Sequence, residues 1–127
     1  MKGDFSSKRD KGNFYEDAVV LLLQKKGLKI LERNYFAKLG EVDIIAEDVK
    51  NRTLVFVEVK SKEKSGKVHP YEAVDVRKQK KIILAAKEYM MAHNIVDYFI
   101  RFDVAGVILD GNKIESIEVI EDAFQAE

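Results

Sequence analysis

Hydrophobic and polar residues alternate along the chain with two different periods, and the changes from one period to the other predict seven elements. Apolar residues at helical spacing indicate a first helix from about residue 12 to Gly27 and a second from Tyr71 to His93. The pattern predicts strands at 28–38, 41–47, 54–61, 98–109 and 113–120, and those at 41–47 and 54–61 are rich in Val and Ile. The order α-β-β-β-α-β-β predicts an α/β fold with a mixed central sheet flanked by helices.

The first helix carries a glutamate to which the sequence gives two roles. Asn13 and Glu16 have the spacing of a capping box, in which the glutamate bonds back to the start of the helix. Glu16 also lies on one helical stripe with Val20 and Leu23, which would turn it toward the sheet. The two roles are compatible, and the pattern leaves both open.

Length and composition narrow the class of protein. The chain has 127 residues with 22 basic and 22 acidic side chains, which suits one globular domain. We expect residues 1–11 to form a flexible tail and residues 12–127 a single domain. The absence of cysteine excludes a disulfide scaffold and thiolate zinc sites. The longest apolar run, 18–23, is far below the roughly 20 residues of a membrane span, and no signal-peptide core precedes it. We therefore expect no membrane association and a cytoplasmic location.

The net charge is zero, but the basic and acidic residues are unevenly distributed along the chain. Residues 60–81 carry eight basic against three acidic side chains, whereas 110–127 carry six acids against one lysine. The basic segment is either a solvated face or a surface that binds phosphate. Candidate contacts to a nucleic-acid backbone are Arg33, Lys62, Lys64, Arg77 and Lys78.

Charged residues interrupt the second and third strands, which are otherwise apolar. Because side chains alternate between faces, the second strand is expected to place Asp43 on one face and Val42, Ile44 and Ala46 on the other. A turn centred on residues 50–51 pairs residues whose numbers sum to 101, and this arithmetic sets Asp43 opposite Glu58. By the same register, Glu41 lies opposite Lys60. Three carboxylates and one ammonium group are thus predicted on one patch of the sheet.

Two carboxylates that face each other in a partly buried place repel, and a divalent cation would remove that cost. Carboxylate oxygens and water are the ligands that Mg²⁺ or Mn²⁺ prefers, so Asp43 and Glu58 are candidate metal ligands. Lys60, on the same face, could stabilise a phosphate in its transition state or position the attacking water. The alternative is a set of satisfied ion pairs, with Glu41 joined to Lys60.

These residues carry a resemblance to known proteins. Asp43 followed by Glu58-Val59-Lys60 resembles the PD-(D/E)XK nuclease superfamily, with Val42 where the motif has proline. A longer set of matches resembles the bacterial YraN family, which is similar to archaeal Holliday junction resolvases. The matching segments are Gly12 with Glu16, Arg33-Asn34, Gly40 to Ala46, Val55 to Lys60, and Arg101 to Val104.

The resemblance implies a restriction-endonuclease-like α-β-β-β-α-β core and a Mg²⁺- or Mn²⁺-dependent endonuclease. Asp43 and Glu58 would bind the metal with help from Glu16, and Lys60 would support the attacking water or the transition state. Gln79, on a stripe of the second helix with Ile82, Ala86 and Met90, would orient the water or the lysine. The implied partner is nucleic acid, in the first place DNA, including branched DNA. Two symmetric cuts would require a homodimer.

Two other hypotheses remain open at this point. The chain could be a nucleic-acid-binding module that keeps the nuclease fold without turnover, or a structural domain whose charged cluster is only ion-paired. Binding of a divalent metal at Asp43 and Glu58 separates them. Arg101 and Asp103 share a face of the fourth strand and are expected to pair with each other, without a role in the chemistry.

Overall fold

The computed structural model describes residues 8–65 and 74–126, with side chains from residue 13 onward, and its elements follow the predicted order. The helices are α1 (Lys8–Lys25) and α2 (Val76–Ala92). The strands are β1 (Lys29–Phe36), β2 (Glu41–Asp48), β3 (Thr53–Glu63), β4 (Phe99–Asp110) and β5 (Lys113–Phe124). Neither helix combines the length and the apolar character that crossing a membrane requires, within these described ranges.

The five strands form one mixed sheet in the order β1-β2-β3-β4-β5. Neighbouring strands are antiparallel except for β3 and β4, which are parallel and connected through α2. Leu54 and Phe56 pack with α2, whereas Val55 and Val57 pack with α1. The two helices therefore cover opposite faces of the sheet, as the strand period predicts.

The predicted hairpin register is confirmed from Ile44–Val57 to Asp48–Thr53, where the numbers of paired residues sum to 101. The turn is closed by Arg52, whose N–H donates to the Val49 carbonyl over 3.3 Å. The described ladder between β2 and β3 stops at Ile44–Val57. Asp43 lies one residue beyond the end of this ladder.

At the end of the ladder, β1 and β2 both change face. Ile44 and its partner Arg33 lie on the α1 side, whereas Val42 and its partner Tyr35 pack on the α2 side. Asn34 lies between them in β1 with a left-handed φ of 53°, a conformation that asparagine tolerates better than most residues. The prediction that Val42 shares a face with Ile44 is therefore wrong, because strict alternation requires regular strand geometry throughout.

Several predicted boundaries also need correction. Helix α1 spans Lys8–Lys25 and therefore continues through Gly12. Glycine inside a helix costs only about 1 kcal/mol relative to alanine, so the helix tolerates it. Asn13 and Glu16 are consequently interior, and the capping-box prediction is wrong. The predicted end of this helix is confirmed, since Gly27 has a φ of 95°.

Helix α2 begins at Val76 rather than Tyr71, since the Asp75 carboxylate caps it by accepting from Lys78 N at 2.8 Å. The predicted first turn of that helix, around 71–73, lies outside the described residues. Strand β5 continues beyond its predicted end at residue 120 and reaches Phe124, whose ring stacks on Phe102 at 5.1 Å. An irregularity in the β4–β5 pairing, with Asp122 at a φ of 56°, allows this extension.

Candidate functional site

Asp43 links the two strands on which the predicted site depends. Its Oδ2 accepts a hydrogen bond from the backbone N–H of Val59 at 2.8 Å. The carboxylate thus reaches the Glu58-Val59-Lys60 segment of β3 at the point where the β2–β3 ladder has ended. Asp43 lies where β1 and β2 change face beside Asn34. The predicted proximity of Asp43 and Glu58 is therefore present, but it does not arise from regular pairing of the two strands.

Glu58 is a buried carboxylate, with 5% of its side chain exposed. Its Oε2 lies 3.6 Å from Nζ of Lys78, whereas Oε1 has no hydrogen-bond partner among the described residues. Burial, followed by the charge of Asp43, raises the pKa of Glu58 to about 7, although Lys78 and Lys60 oppose the shift. A buried carboxylate oxygen left without a partner marks a place where a ligand or ion is expected.

Asp43 belongs to the same electrostatic unit. Burial raises the pKa of Asp43, and the hydrogen bond from Val59 N–H opposes that shift. The two carboxyl groups are close enough to share a hydrogen bond when one of them carries a proton. Near neutral pH a proton and a cation would therefore compete for the pair.

Glu16 lies across a cleft of about 410 Å³ that Asp43 also lines. Its Oε1 accepts from Arg33 Nε and Nη2 at 3.2 and 3.0 Å, and from Asn34 Nδ2 at 3.0 Å. Burial raises the pKa of Glu16, the bonds from Arg33 lower it, and the charge of Asp43 raises it again. The first helix thus turns Glu16 toward the cleft that Asp43 lines, and Arg33 and Asn34 of β1 hold it there.

The donor set suits a hard cation without forming a closed cage. Within 8–65 and 74–126, no three His, Cys, Asp or Glu side chains gather closely enough to hold a metal ion. Mg²⁺ is commonly held by one or two carboxylates and keeps several waters. The Asp43–Glu58 pair, with its free Glu58 Oε1, fits that mode of binding. The role of Glu16 as a metal ligand stays a prediction.

Helix α2 contributes a residue other than the expected one. Lys78 in its first turn reaches Glu58, whereas Gln79 donates from Nε2 to the Val74 carbonyl at 3.0 Å. The buried residues of α2 are Ile82, Ala85, Ala86 and Tyr89. By helical spacing, Lys78 lies on the same stripe as Ala85 and Tyr89. Sequence reasoning chose a different stripe as the buried face of α2 and so missed Lys78.

Three of the five predicted phosphate contacts are engaged within the protein, and one of them is Lys78 at Glu58. Arg33 Nη2 bonds Asp17 at 2.6 Å as well as Glu16, and Lys64 Nζ lies 3.4 Å from carboxylates of both Asp110 and Glu115. Lys62 and Arg77 have exposed side chains. These last two are the better candidates for an external anion.

Glu41 and the Arg101–Asp103 pair have separate places in the fold. Glu41 lines a hollow with Lys78 and Lys81 at the start of α2. Arg101 makes two bonds to buried Asp103, Nε to Oδ1 at 2.9 Å and Nη2 to Oδ2 at 3.0 Å. Asp103 Oδ1 also accepts from Asp122 N at 2.9 Å. The predicted internal pair is confirmed, and it fixes β5 against β4.

We expect Asp43→Ala to destabilise the protein by about 1–3 kcal/mol, because the partly buried Val59 N–H loses its acceptor. Asp43→Asn keeps an oxygen acceptor at the same place and should cost clearly less. Urea unfolding of the two variants in EDTA measures the difference. Equal losses in both variants would contradict a structural role for this hydrogen bond.

A five-stranded mixed sheet with a helix on each face, and paired carboxylates beside a Glu-x-Lys segment, define a restriction-endonuclease-like α/β protein. The model of a family described as "Uncharacterised protein family UPF0102" matches residues 15–107. This chain belongs to that family, the YraN family, which confirms the resemblance drawn from the sequence.

Individual relatives are similar over most of their length. A UPF0102 protein of Desulforapulum autotrophicum is 41% identical over 122 residues, covering 96% of this chain and 98% of the relative. Another, from Fusobacterium nucleatum, is 47% identical over 102 residues, covering 80% and 84%. A third, from Chlorobium phaeobacteroides, is 46% identical over 99 residues, covering 78% and 77%.

Proposed function

We propose that this protein is a metal-dependent endonuclease that hydrolyses phosphodiester bonds in DNA, with branched, Holliday-junction-like DNA among its substrates. One observation carries the proposal: Asp43 and Glu58 share a largely buried site in which Glu58 Oε1 has no hydrogen-bond partner among the described residues, and two lysines stand close by. Buried like charges are costly unless they serve a ligand. The cytoplasm, where DNA is available, is the location that suits this activity.

Each residue of the site has a distinct task in this proposal. Asp43 and Glu58 hold Mg²⁺ or Mn²⁺, and Val59 N–H fixes the orientation of Asp43. The bound ion supplies positive charge to the phosphate and lowers the pKa of a water molecule. Lys60 stabilises the negative charge that develops on the phosphate. Lys78 balances the charge of Glu58 from the other side.

The two remaining candidates act at the edge of the site. Glu16 is held by Arg33 and Asn34 in the cleft that Asp43 also lines, where it would bind a water of the metal. Gln79 bonds to Val74 O, so orienting the attacking water requires its side chain to turn toward Lys60.

A nucleic-acid-binding module without turnover is the second candidate. It is favoured by the lack of a third carboxylate within metal-binding reach of the pair, among the residues the structure describes. Such a module would bind DNA with the same surface and with little dependence on Mg²⁺. The two candidates therefore differ in cleavage rather than in binding.

Cleavage assays decide between these candidates. Purified protein is incubated with Mg²⁺ or Mn²⁺ and end-labelled four-way junction, flap, duplex and single-stranded DNA, with matching RNA substrates in parallel. We expect metal-dependent nicks in DNA, lost in EDTA and in Glu58→Gln. Binding without nicks would favour the module. Paired symmetric cuts in the junction, with a dimer by sedimentation, would support the proposed homodimer.

The exposed basic residues beside the site give a binding prediction. Reversing Lys62 and Arg77 to glutamate should weaken DNA binding about tenfold or more at fixed low salt, because two phosphate contacts become repulsive. The salt dependence of binding should also become shallower. Lys113→Glu, on β5, is the control. Unchanged affinity in the double variant would remove this surface from the proposal.

A further inference from the structure

The loop between β1 and β2, residues 37–40, is held firmly against α2. Ala37 N donates to the Gly40 carbonyl at 2.8 Å, which closes the loop. Lys38 N donates to Glu88 Oε1 at 3.1 Å. Gly40 lies so close to the helix that a Cβ there would come within 2.3 Å of the Lys81 carbonyl oxygen. The loop is therefore pre-organised by backbone contacts rather than by its own side chains.

This firmly held loop nevertheless presents large apolar side chains to solvent. Phe36, the last residue of β1, is 72% exposed, and Leu39 is 60% exposed. Phe36 lines the cleft that contains Asp43, and it also lines the neighbouring hollow with Lys78 and Lys81. An exposed aromatic ring beside a polar site, next to a loop whose backbone is fixed, is a feature of an interaction surface.

The surroundings of Phe36 favour a nucleobase as the occupant. Lys78 and Lys81 outnumber Glu41 in the hollow and suit a phosphate group, and the aromatic face suits a stacked base. A second copy of the chain would instead set these lysines against each other, or require acidic partners. Bases inside a continuous duplex are already stacked and cannot reach the ring, so the base must be unpaired.

We propose that Phe36, with Leu39 beside it, stacks on an unpaired base next to the cleft that Asp43 lines. The site would thereby select DNA with unpaired or displaced bases over continuous duplex. This inference rests on the proposed action on DNA and names the feature of the DNA that is recognised. Phe36 is a specificity-determining residue in this arrangement.

The test uses a DNA duplex with one unpaired 2-aminopurine and the same duplex with that base paired, both in EDTA at fixed salt so that nothing is cleaved. The parent should bind the unpaired DNA more tightly and quench its fluorescence. Phe36→Ala should weaken binding of the unpaired DNA by about 5- to 100-fold, the range for one base stack. Binding of the paired DNA should change little.

Phe99 provides a matched control, since it is 74% exposed and lies at the opposite end of the sheet, where β4 begins. Phe99→Ala should behave like the parent, and Phe36→Tyr should keep both preference and quenching. Equal effects of Phe36→Ala and Phe99→Ala, or no preference in the parent, would overturn the inference. A loss of dimer in Phe36→Ala, with the base preference intact, would overturn it in favour of a second copy as occupant.

The inference and the proposed function fail separately in these experiments. If the parent prefers the unpaired base but cleaves no DNA with Mg²⁺ or Mn²⁺, the nuclease is refuted and the stacking role is kept. If the parent and Phe36→Ala cleave DNA at equal rates, on unpaired and on paired substrates alike, the stacking role is refuted and the nuclease is kept.

Discussion

Glutamine in place of Glu58 should raise the free energy of unfolding of the metal-free protein at pH 8 and change it little near pH 4. The pKa of Glu58 is about 7 in the folded protein against an ordinary 4.5. The folded state therefore holds the proton more tightly than the unfolded state. The stability that this group contributes is complete below pH 4.5 and is lost as the pH rises through 7. Glutamine keeps the shape and has no proton to lose, so its advantage at pH 8 is of the order of 1–3 kcal/mol.

With divalent metal present, the parent should become more stable than Glu58→Gln. With millimolar Mg²⁺ or Mn²⁺, the melting temperature of the parent should rise, since a ligand that binds only the folded state stabilises it. Glu58→Gln should lose most of that rise. Glu63→Gln is the control on the same strand: Glu63 is exposed, and its bond from Gly111 N can be kept by an amide oxygen.

Melting curves at both pH values, with EDTA and with metal, separate the readings of this site. If Glu58 serves only as the ion-pair partner of Lys78, glutamine removes an attraction and lowers stability at pH 8. That result, together with no effect of metal on the parent, would contradict the nuclease site.

The fold could be predicted from the sequence because its strands are strongly patterned. Runs of Val and Ile mark β2 and β3, and the turn around 50–51 sets their register, which is confirmed between Ile44 and Asp48. Helix ends were less predictable. Glycine at residue 12 looked like a boundary, but its cost is small enough for α1 to continue through it.

The candidate site was predictable in its members and not in its geometry. Asp43 and Glu58 do lie close together, although strict alternation assigned the wrong face to Val42. The cause is the left-handed Asn34 on the neighbouring strand, and a residue's φ is not encoded in a hydrophobic pattern. Likewise, whether Lys78 or Gln79 reaches the site depends on a rotation of α2 about its axis by one residue. The burial of Tyr89 shows which rotation is present.

Lys60→Ala should reduce the single-turnover cleavage rate about 10²- to 10³-fold and leave the metal-induced rise in melting temperature intact. Lys60 lies close enough to the site to lower the pKa of both Asp43 and Glu58, but neither carboxylate depends on it for position. Its proposed task is to stabilise the charge on the phosphate, and a change of pH does not restore the missing ammonium group. The loss should therefore persist at every pH.

Lys78→Ala distinguishes this role from simple charge balance. Lys78 lowers the pKa of Glu58, so its removal raises that pKa further and should displace the rising limb of the cleavage pH profile to higher pH. Activity of Lys78→Ala should recover at alkaline pH, whereas that of Lys60→Ala should not. Lys113→Ala, on the remote strand β5, should match the parent throughout. Recovery of Lys60→Ala at high pH would show that Lys60 acts only through the charge of the carboxylates and takes no part at the phosphate.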